Sequence, residues 1–353
     1  MFTNDLTKKV FAGPVAIGGG APITVQSMLN APAQDAAANV AQAKRLEAAG
    51  CEILRLSVPD REAVHTLAAV KEAVSVPVVA DIHFDYRLAL ESLAAGADKI
   101  RINPGNIGED DRVKAVANAC KANRVPIRIG VNSGSLERHI LAKYGAPTPE
   151  AMVESGLYHI SLLEKFDFTD IVLSLKSSDV RKMYRAYELA AQTCPYPLHL
   201  GVTEAGTKEM GTVKSAAGIG GLLLRGIGAT VRISLTDDPV EEVLAGKRLL
   251  KALGLSKGGI RFVSCPTCGR TKIDLIGLAK RAEERFADVK KDMTVAIMGC
   301  VVNGPGEARE ADLGIAGGDG CGVLFKNGEI LQKVPEERLL DALEEEIKKM
   351  ENE

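Results

Sequence analysis

Eight short aliphatic runs punctuate the first two-thirds of the chain, at residues 23–28, 52–58, 77–82, 99–103, 126–131, 170–175, 198–202 and 229–235. Stretches of helical composition lie between them, as at 35–49, 87–95, 111–122, 149–164, 180–192, 210–224 and 240–253. Several stop at a glycine that follows two alanines, as Gly50 and Gly96 do, the residue that ends a helix in a left-handed turn. Strands that alternate with helices require a parallel sheet covered by helices. Eight such units in about 250 residues have the count and size of a (β/α)8 TIM barrel, which places an α/β domain over residues 1–254. An open, doubly wound sheet is the rival pattern. After a hinge-like stretch at 254–259 the rhythm changes to a strand (260–264), a helix (273–286), a strand (293–298), a hairpin-like pair near 322–332 and a charged helix (335–350). That is a smaller α+β domain over residues 260–353.

Composition narrows the function classes. Lys and Arg total 44 against 46 Asp and Glu, so the chain carries no overall positive charge to hold nucleic acid or an anionic membrane. Tryptophan is absent and aromatics make up 4%, which argues against a base-stacking platform. No apolar run approaches the ~20 residues that span a bilayer, and the amino-terminal segment lacks the apolar core of a signal peptide. Seven cysteines in 353 residues, an odd and small number, read as reduced thiols in a cytoplasmic setting.

Charged residues interrupt the strands where apolar ones belong. Leu54-Arg55-Leu56, Ile100-Arg101-Ile102, Ile127-Arg128-Ile129 and Val231-Arg232-Ile233 share one pattern, and Lys176 follows Leu173-Ser174-Leu175 in the same way. A strand buried on both faces is expected to be apolar throughout, and a buried, unpaired guanidinium costs several kcal/mol. One such arginine reads as half of an ion pair. Five cations near the carboxyl ends of five strands point to the active rim of a barrel and to an anion that holds them together, for which phosphate suits guanidinium forks. Asn103, Asn132 and Ser234 add neutral polar groups at those ends. Glu204, an acid on an otherwise cationic rim, reads either as a counter-ion or as a general acid or base. His83 and His199 lie near strand ends too, where a hydrogen-bonded core histidine is the plainer reading.

The small domain carries Cys265-Pro-Thr-Cys268, then Cys300 in a glycine- and proline-rich loop that ends in Glu307. Two thiols three positions apart and a third from another strand end suit one metal centre. Spacing leaves structural zinc and an iron–sulfur cluster both open, and it leaves the fourth ligand open between Cys321 and Glu307. Cys51, Cys120 and Cys194 read as packing residues. A barrel enzyme for a phosphorylated substrate with a structural zinc domain would satisfy both signals, whereas a pure interaction module would leave the cations unused.

Ser264-Cys-Pro-Thr-Cys-Gly-Arg-Thr271 and Met298-Gly-Cys-Val-Val-Asn-Gly-Pro-Gly-Glu-Ala308 resemble the bacterial 4-hydroxy-3-methylbut-2-enyl diphosphate synthase family. So do Thr24-Val-Gln-Ser-Met28, Lys99-Ile-Arg-Ile-Asn-Pro-Gly-Asn106, Arg128-Ile-Gly-Val-Asn-Ser-Gly-Ser135 and His199-Leu-Gly-Val-Thr-Glu-Ala-Gly206. The likeness spans essentially the whole chain, without the inserted middle domain of plant-type relatives. It implies a [4Fe–4S] cluster held by Cys265, Cys268, Cys300 and Glu307, and thus an iron–sulfur α+β domain. The implied reaction is the two-electron reductive opening of 2-C-methyl-D-erythritol 2,4-cyclodiphosphate. By the same likeness Arg55, Arg101, Asn103, Arg128, Asn132, Lys176, Arg232 and Ser234 bind substrate and Glu204 supplies a proton, with flavodoxin or ferredoxin as electron donor.

Chain geometry adds an expectation about assembly. The stretch 240–253 descends about 20 Å as a helix, and residues 254–259 reach at most ~20 Å when extended. A small domain returning to the rim of its own barrel is therefore hard to build. A homodimer, which the resemblance implies as head-to-tail, places the small domain of one chain over the barrel of the other.

Overall fold

The computed structural model describes residues 4–256, 258–301, 306 and 308–352, and the chain divides into two compact units, Met1–Ser256 and Lys257–Glu353. The first unit opens with a hairpin the sequence did not announce, β1 (Val10–Ala12) and β2 (Val15–Ile17). Eight parallel strands follow: β3 (Thr24–Met28), β4 (Ile53–Ser57), β5 (Val78–Asp81), β6 (Lys99–Ile102), β7 (Ile127–Asn132), β8 (Ile171–Lys176), β9 (His199–Leu200) and β10 (Thr230–Val231). Their order is β8-β7-β6-β5-β4-β3-β10-β9. A parallel bridge between Leu173 and Leu198 draws the two ends together into a nearly closed barrel. β9 and β10 are shorter than the runs at 198–202 and 229–235, because the chain past Leu200 turns into a loop with left-handed residues at Glu204 and Gly206.

Helices cover the outside. Each strand alternates, so Leu54, Leu56, Val78, Ala80, Ile100, Ile102, Ile127, Ile129, Leu173 and Leu175 face the helices and share one core with Leu46, Leu67, Val116 and Ile160. Burying each such aliphatic side chain contributes roughly 1.5–3 kcal/mol. Helix starts are fixed by aspartates: Asp35, Asp60, Asp179 and Asp238 each accept an N–H in the first turn. The stretch 210–224 is not one regular helix. Lys208–Ser215 passes through a π turn at Ala216–Gly220 before Gly221–Leu223. Gly218 there lies against Met183, where a Cβ would come within 2.5 Å of the sulfur's methyl.

The barrel interior departs from the expectation of strands apolar on both faces. Val10, Ala12 and Ile17 of the hairpin pack with Ile53, Val79, Val172 and Ala229 at the strand starts, so the apolar part of the interior is a plug at the amino end. Further along, the inward positions hold Gln26, Arg55, Asp81, Lys99, Arg101, Arg128, Lys176 and His199.

The second unit is a five-stranded sheet in the order β11-β12-β13-β14-β15. β11 (Ile260–Ser264), β12 (Met293–Met298) and β13 (Leu313–Gly317) run parallel, while β14 (Cys321–Lys326) and β15 (Glu329–Pro335) form an antiparallel hairpin. Its turn places Asn327 and Gly328 at positive φ, the conformation a tight two-residue hairpin demands. β13 escaped the sequence reading because Leu-Gly-Ile-Ala-Gly has little strand propensity. Its glycines are packing devices: a Cβ on Gly314 would meet the Phe325 ring at 2.3 Å, and one on Gly317 would meet Ile273 at 2.5 Å. The helices Leu275–Arg285 and Leu339–Glu351 bury Leu278, Ala282, Leu339 and Leu343 against Val295, Ile297, Leu313 and Ile315.

Candidate active site

The carboxyl ends of the barrel strands gather the cations that the sequence singled out. Asp81 on β5 sits between two of them, bonding Arg55 of β4 through one oxygen and Arg101 of β6 through the other at 3.2 Å. Burial opposes the charge of Asp81, yet the two guanidiniums outweigh it and hold its carboxyl below the usual range. Arg101 also donates to the Gly130 carbonyl at 2.8 Å, and Asn103 accepts the Gly130 N–H at 2.9 Å. Only glycine fits there, since a Cβ would lie 2.5 Å from Arg101 Nε. Arg101 and Asn103 therefore brace β7 as well as facing the rim.

On the opposite side Arg232 pairs with Glu242 at 3.4 Å. Glu242 comes from the helix Pro239–Ala252 and also accepts Ser27 Oγ and the Leu235 N–H, each at 3.0 Å. Arg128 and Lys176 have no such partner: among the described residues, the carboxylates bonded to the rim cations are Asp81 and Glu242. Arg128 is 1% exposed, and its Nε and Nη1 lack a hydrogen-bond partner among the described residues. Burial first, then the neighbouring cations, push Arg128 and Lys176 well below their ordinary values. Charge is thus left over for an anion. Asn132 and Ser234 stand half-buried on or just past the ends of β7 and β10.

Sequence reasoning missed three members of this set. Lys99 is wholly buried in the barrel, with Nζ 3.3 Å from Gln26 Oε1 across the interior. Asp81 was legible as an acid closing the run Val-Val-Ala-Asp, whereas Glu242 looked like any acid on a helix surface. His199 is buried, and burial with Arg128, Lys176 and Lys99 nearby keeps it neutral. His83 stays half exposed, 3.8 Å from Asp81.

Glu204 is exposed on the loop after β9 with φ +51, a left-handed conformation. For a side chain other than glycine or asparagine this costs on the order of 1–2 kcal/mol, the kind of strain that marks functional loops.

Two further rim loops are tied by His159 of the helix Pro149–Glu164. Its Nδ1 accepts the Gly105 N–H at 3.1 Å, and its Nε2 lies 2.6 Å from a Glu137 oxygen. Burial works against the Glu137 charge, but hydrogen bonds from His159 and Ser155 prevail and bring its carboxyl down to about 2. The stability this carboxylate confers is complete above its unfolded value of 4.5 and fades as pH falls toward 2. Glu137→Gln should accordingly unfold more readily than the parent in urea at neutral pH. The gap should narrow in titrations carried down toward pH 2, and a gap independent of pH would refute the assignment.

In the second unit Cys265 follows β11 and Cys300 follows β12, and the adjacent parallel strands pair Ser264 with Ile297. The Gly299 N–H donates to Cys265 Sγ at 3.2 Å, an amide-to-sulfur bond of the kind that tunes cluster-ligating thiolates. The Cys268 N–H donates to Thr271 Oγ1 at 3.2 Å, and hydrogen bonds from Arg270 lower the Cys268 thiol. Cys321 opens β14 at the same sheet edge, since Gly322 pairs with Gly317 and Ala316 with Met298. Glu307 lies outside the described residues, and among those described no group of three or more His, Cys, Asp and Glu is assembled as an ion site. The donor types, three thiols not fully buried, two of them with backbone amide support, fit a thiolate-ligated metal centre such as an iron–sulfur cluster. Cys51 and Cys120 are different: burial pushes both up to about 12, and Cys194 up to about 11, as expected of inert packing thiols.

Two family profiles cover most of this chain, one described as the GcpE TIM-barrel domain over residues 7–247 and one as the GcpE protein C-terminal domain over 261–349. The chain belongs to the GcpE family. A relative from Caldanaerobacter subterraneus subsp. tengcongensis is 58% identical over 98% of this chain and 97% of its own length, and one from Clostridium perfringens is 56% identical over 96% and 97%. Both carry the name 4-hydroxy-3-methylbut-2-en-1-yl diphosphate synthase (flavodoxin). Among solved structures, a dihydropteroate synthase of Yersinia pestis aligns with 70% of this chain and 100% of its own at 13% identity and a TM-score of 0.50. That likeness concerns the barrel fold alone.

Proposed function

We propose that this enzyme converts 2-C-methyl-D-erythritol 2,4-cyclodiphosphate to 4-hydroxy-3-methylbut-2-enyl diphosphate in isoprenoid precursor synthesis. The observation that carries the reading is the excess of buried cations over carboxylates at the strand ends, in a chain of this family. Opening the ring breaks the bond from C2 to a phosphate oxygen, and loss of the C3 hydroxyl as water leaves a double bond between C2 and C3. Two electrons enter and one proton accompanies the hydroxyl. The freed phosphate oxygen carries a new negative charge, which Arg55, Arg101, Arg128, Lys176 and Arg232 stabilise more than they stabilise the cyclic substrate. Asn103, Asn132 and Ser234 orient the diphosphate, and Glu204 delivers the proton to the departing oxygen.

Cys265, Cys268, Cys300 and Glu307 would hold a [4Fe–4S] cluster, which supplies the electrons one at a time. Flavodoxin fits as the donor to it, with ferredoxin as the alternative. The enzyme works in the cytoplasm as a head-to-tail homodimer, the small domain of one protomer serving the barrel of its partner. Among the described residues no helix is long and apolar enough to cross a membrane.

Anaerobically purified protein should be brown, contain close to four irons per chain, and form the linear diphosphate when given reduced flavodoxin. Colourless protein with one zinc per chain and no product would refute the reading. Assembly is testable separately. Glu204→Gln and Cys300→Ser chains, each inactive alone, should regain activity when co-expressed, and a purified mixed dimer that stays inactive would exclude delivery between protomers.

A further inference from the structure

Beneath the rim the barrel holds polar groups that no step above uses. Lys99 is fully buried with only the long contact to Gln26, whose own Nε2 has no partner among the described residues. Both ring nitrogens of buried His199 are unbonded among the described residues, as are the hydroxyls of Thr24 and Thr230. These groups share one region. Thr230 stands in register with Thr24 on one side and His199 on the other, and Lys99 reaches across the interior from β6 to β3. The hairpin plug closes the barrel on the amino side.

Nearly all of these groups donate. An ammonium can only donate, the Gln26 amide nitrogen likewise, and the imidazole and hydroxyls can each offer a hydrogen. Buried donors without acceptors cost more than any other arrangement of the same groups. No carboxylate among the described residues is bonded to Lys99. The donors come from four strands around the barrel, β3, β6, β9 and β10, which suits a spherical acceptor rather than a planar carboxylate.

We propose that the barrel binds a monovalent inorganic anion of the halide class between Lys99, His199 and Gln26, separate from the diphosphate site above it. With that ion bound, Lys99 keeps its charge in a place where burial and the nearby Arg128 and Arg55 otherwise oppose it. The proposal does not rest on the substrate reading, because the anion takes no part in turnover.

Crystals of the holoenzyme grown in bromide, measured at the bromine edge, test it. The expected result is an anomalous peak within about 3.5 Å of Lys99 Nζ, absent in Lys99→Met and undiminished when inorganic phosphate is added. In solution, replacing gluconate by chloride at constant ionic strength should raise the melting temperature of the parent enzyme and not that of Lys99→Met. A wild-type map without the peak would overturn the proposal, since ordered water would then satisfy these donors. A peak displaced by phosphate would overturn it as well, by making the site part of the diphosphate subsite. If Lys99→Met fails to fold, the wild-type map and the chloride response of the parent decide alone.

Discussion

Cys300→Ser should give a folded protein that holds no intact [4Fe–4S] cluster and makes no measurable product. Cys300 stands two residues past β12, beside the strand that delivers Cys265, so its loss removes one of the three proposed thiolate ligands. Glu307→Ala should leave a labile or incomplete cluster and almost no turnover, because Glu307 would be the one ligand of the proposed set that is not a thiolate. Cys321→Ala should keep both cluster and activity, although Cys321 lies at the same sheet edge. Iron and sulfide content with the visible spectrum reads all three. A cluster lost with Cys321→Ala and retained with Glu307→Ala would reassign the fourth ligand.

Glu204→Gln should lower kcat by about 10²-fold or more, the usual scale for a missing general acid, while cluster content and substrate affinity persist. The substitution preserves size and the left-handed backbone, so it removes the proton and little else. Arg128→Met should behave differently, weakening substrate binding first. A fully active Glu204→Gln would make Glu204 a bystander on its loop.

The barrel was legible because the alternation of aliphatic runs with helical stretches survives any change of detail, and each of the eight runs overlaps one of β3–β10. The elements that escaped were those whose shape depends on distant partners. The three-residue strands of the hairpin carry no period to read, and β13 is built on glycines that make sense only beneath Phe325 and Ile273. The site divides the same way. Arginines in aliphatic strands are anomalies that sequence alone exposes, and cysteine spacing needs no fold. Glu242 gave no signal, since a helix acid is ordinarily solvated and only the packing of its helix against β3 buries it at 4% exposure. Lys99, at the first position of β6, looked like the polar edge of a strand.

The hairpin of β1 and β2 fills the amino end of the barrel, which leaves the carboxyl end as the way in. In the proposed reaction substrate and product use that passage in opposite directions and bring the same diphosphate to the same cations. The linear diphosphate has to depart before another cyclic one can enter. Product inhibition should therefore be competitive at every substrate concentration, and the slowest event at saturation can be the departure of a trianion from a pocket built to hold it.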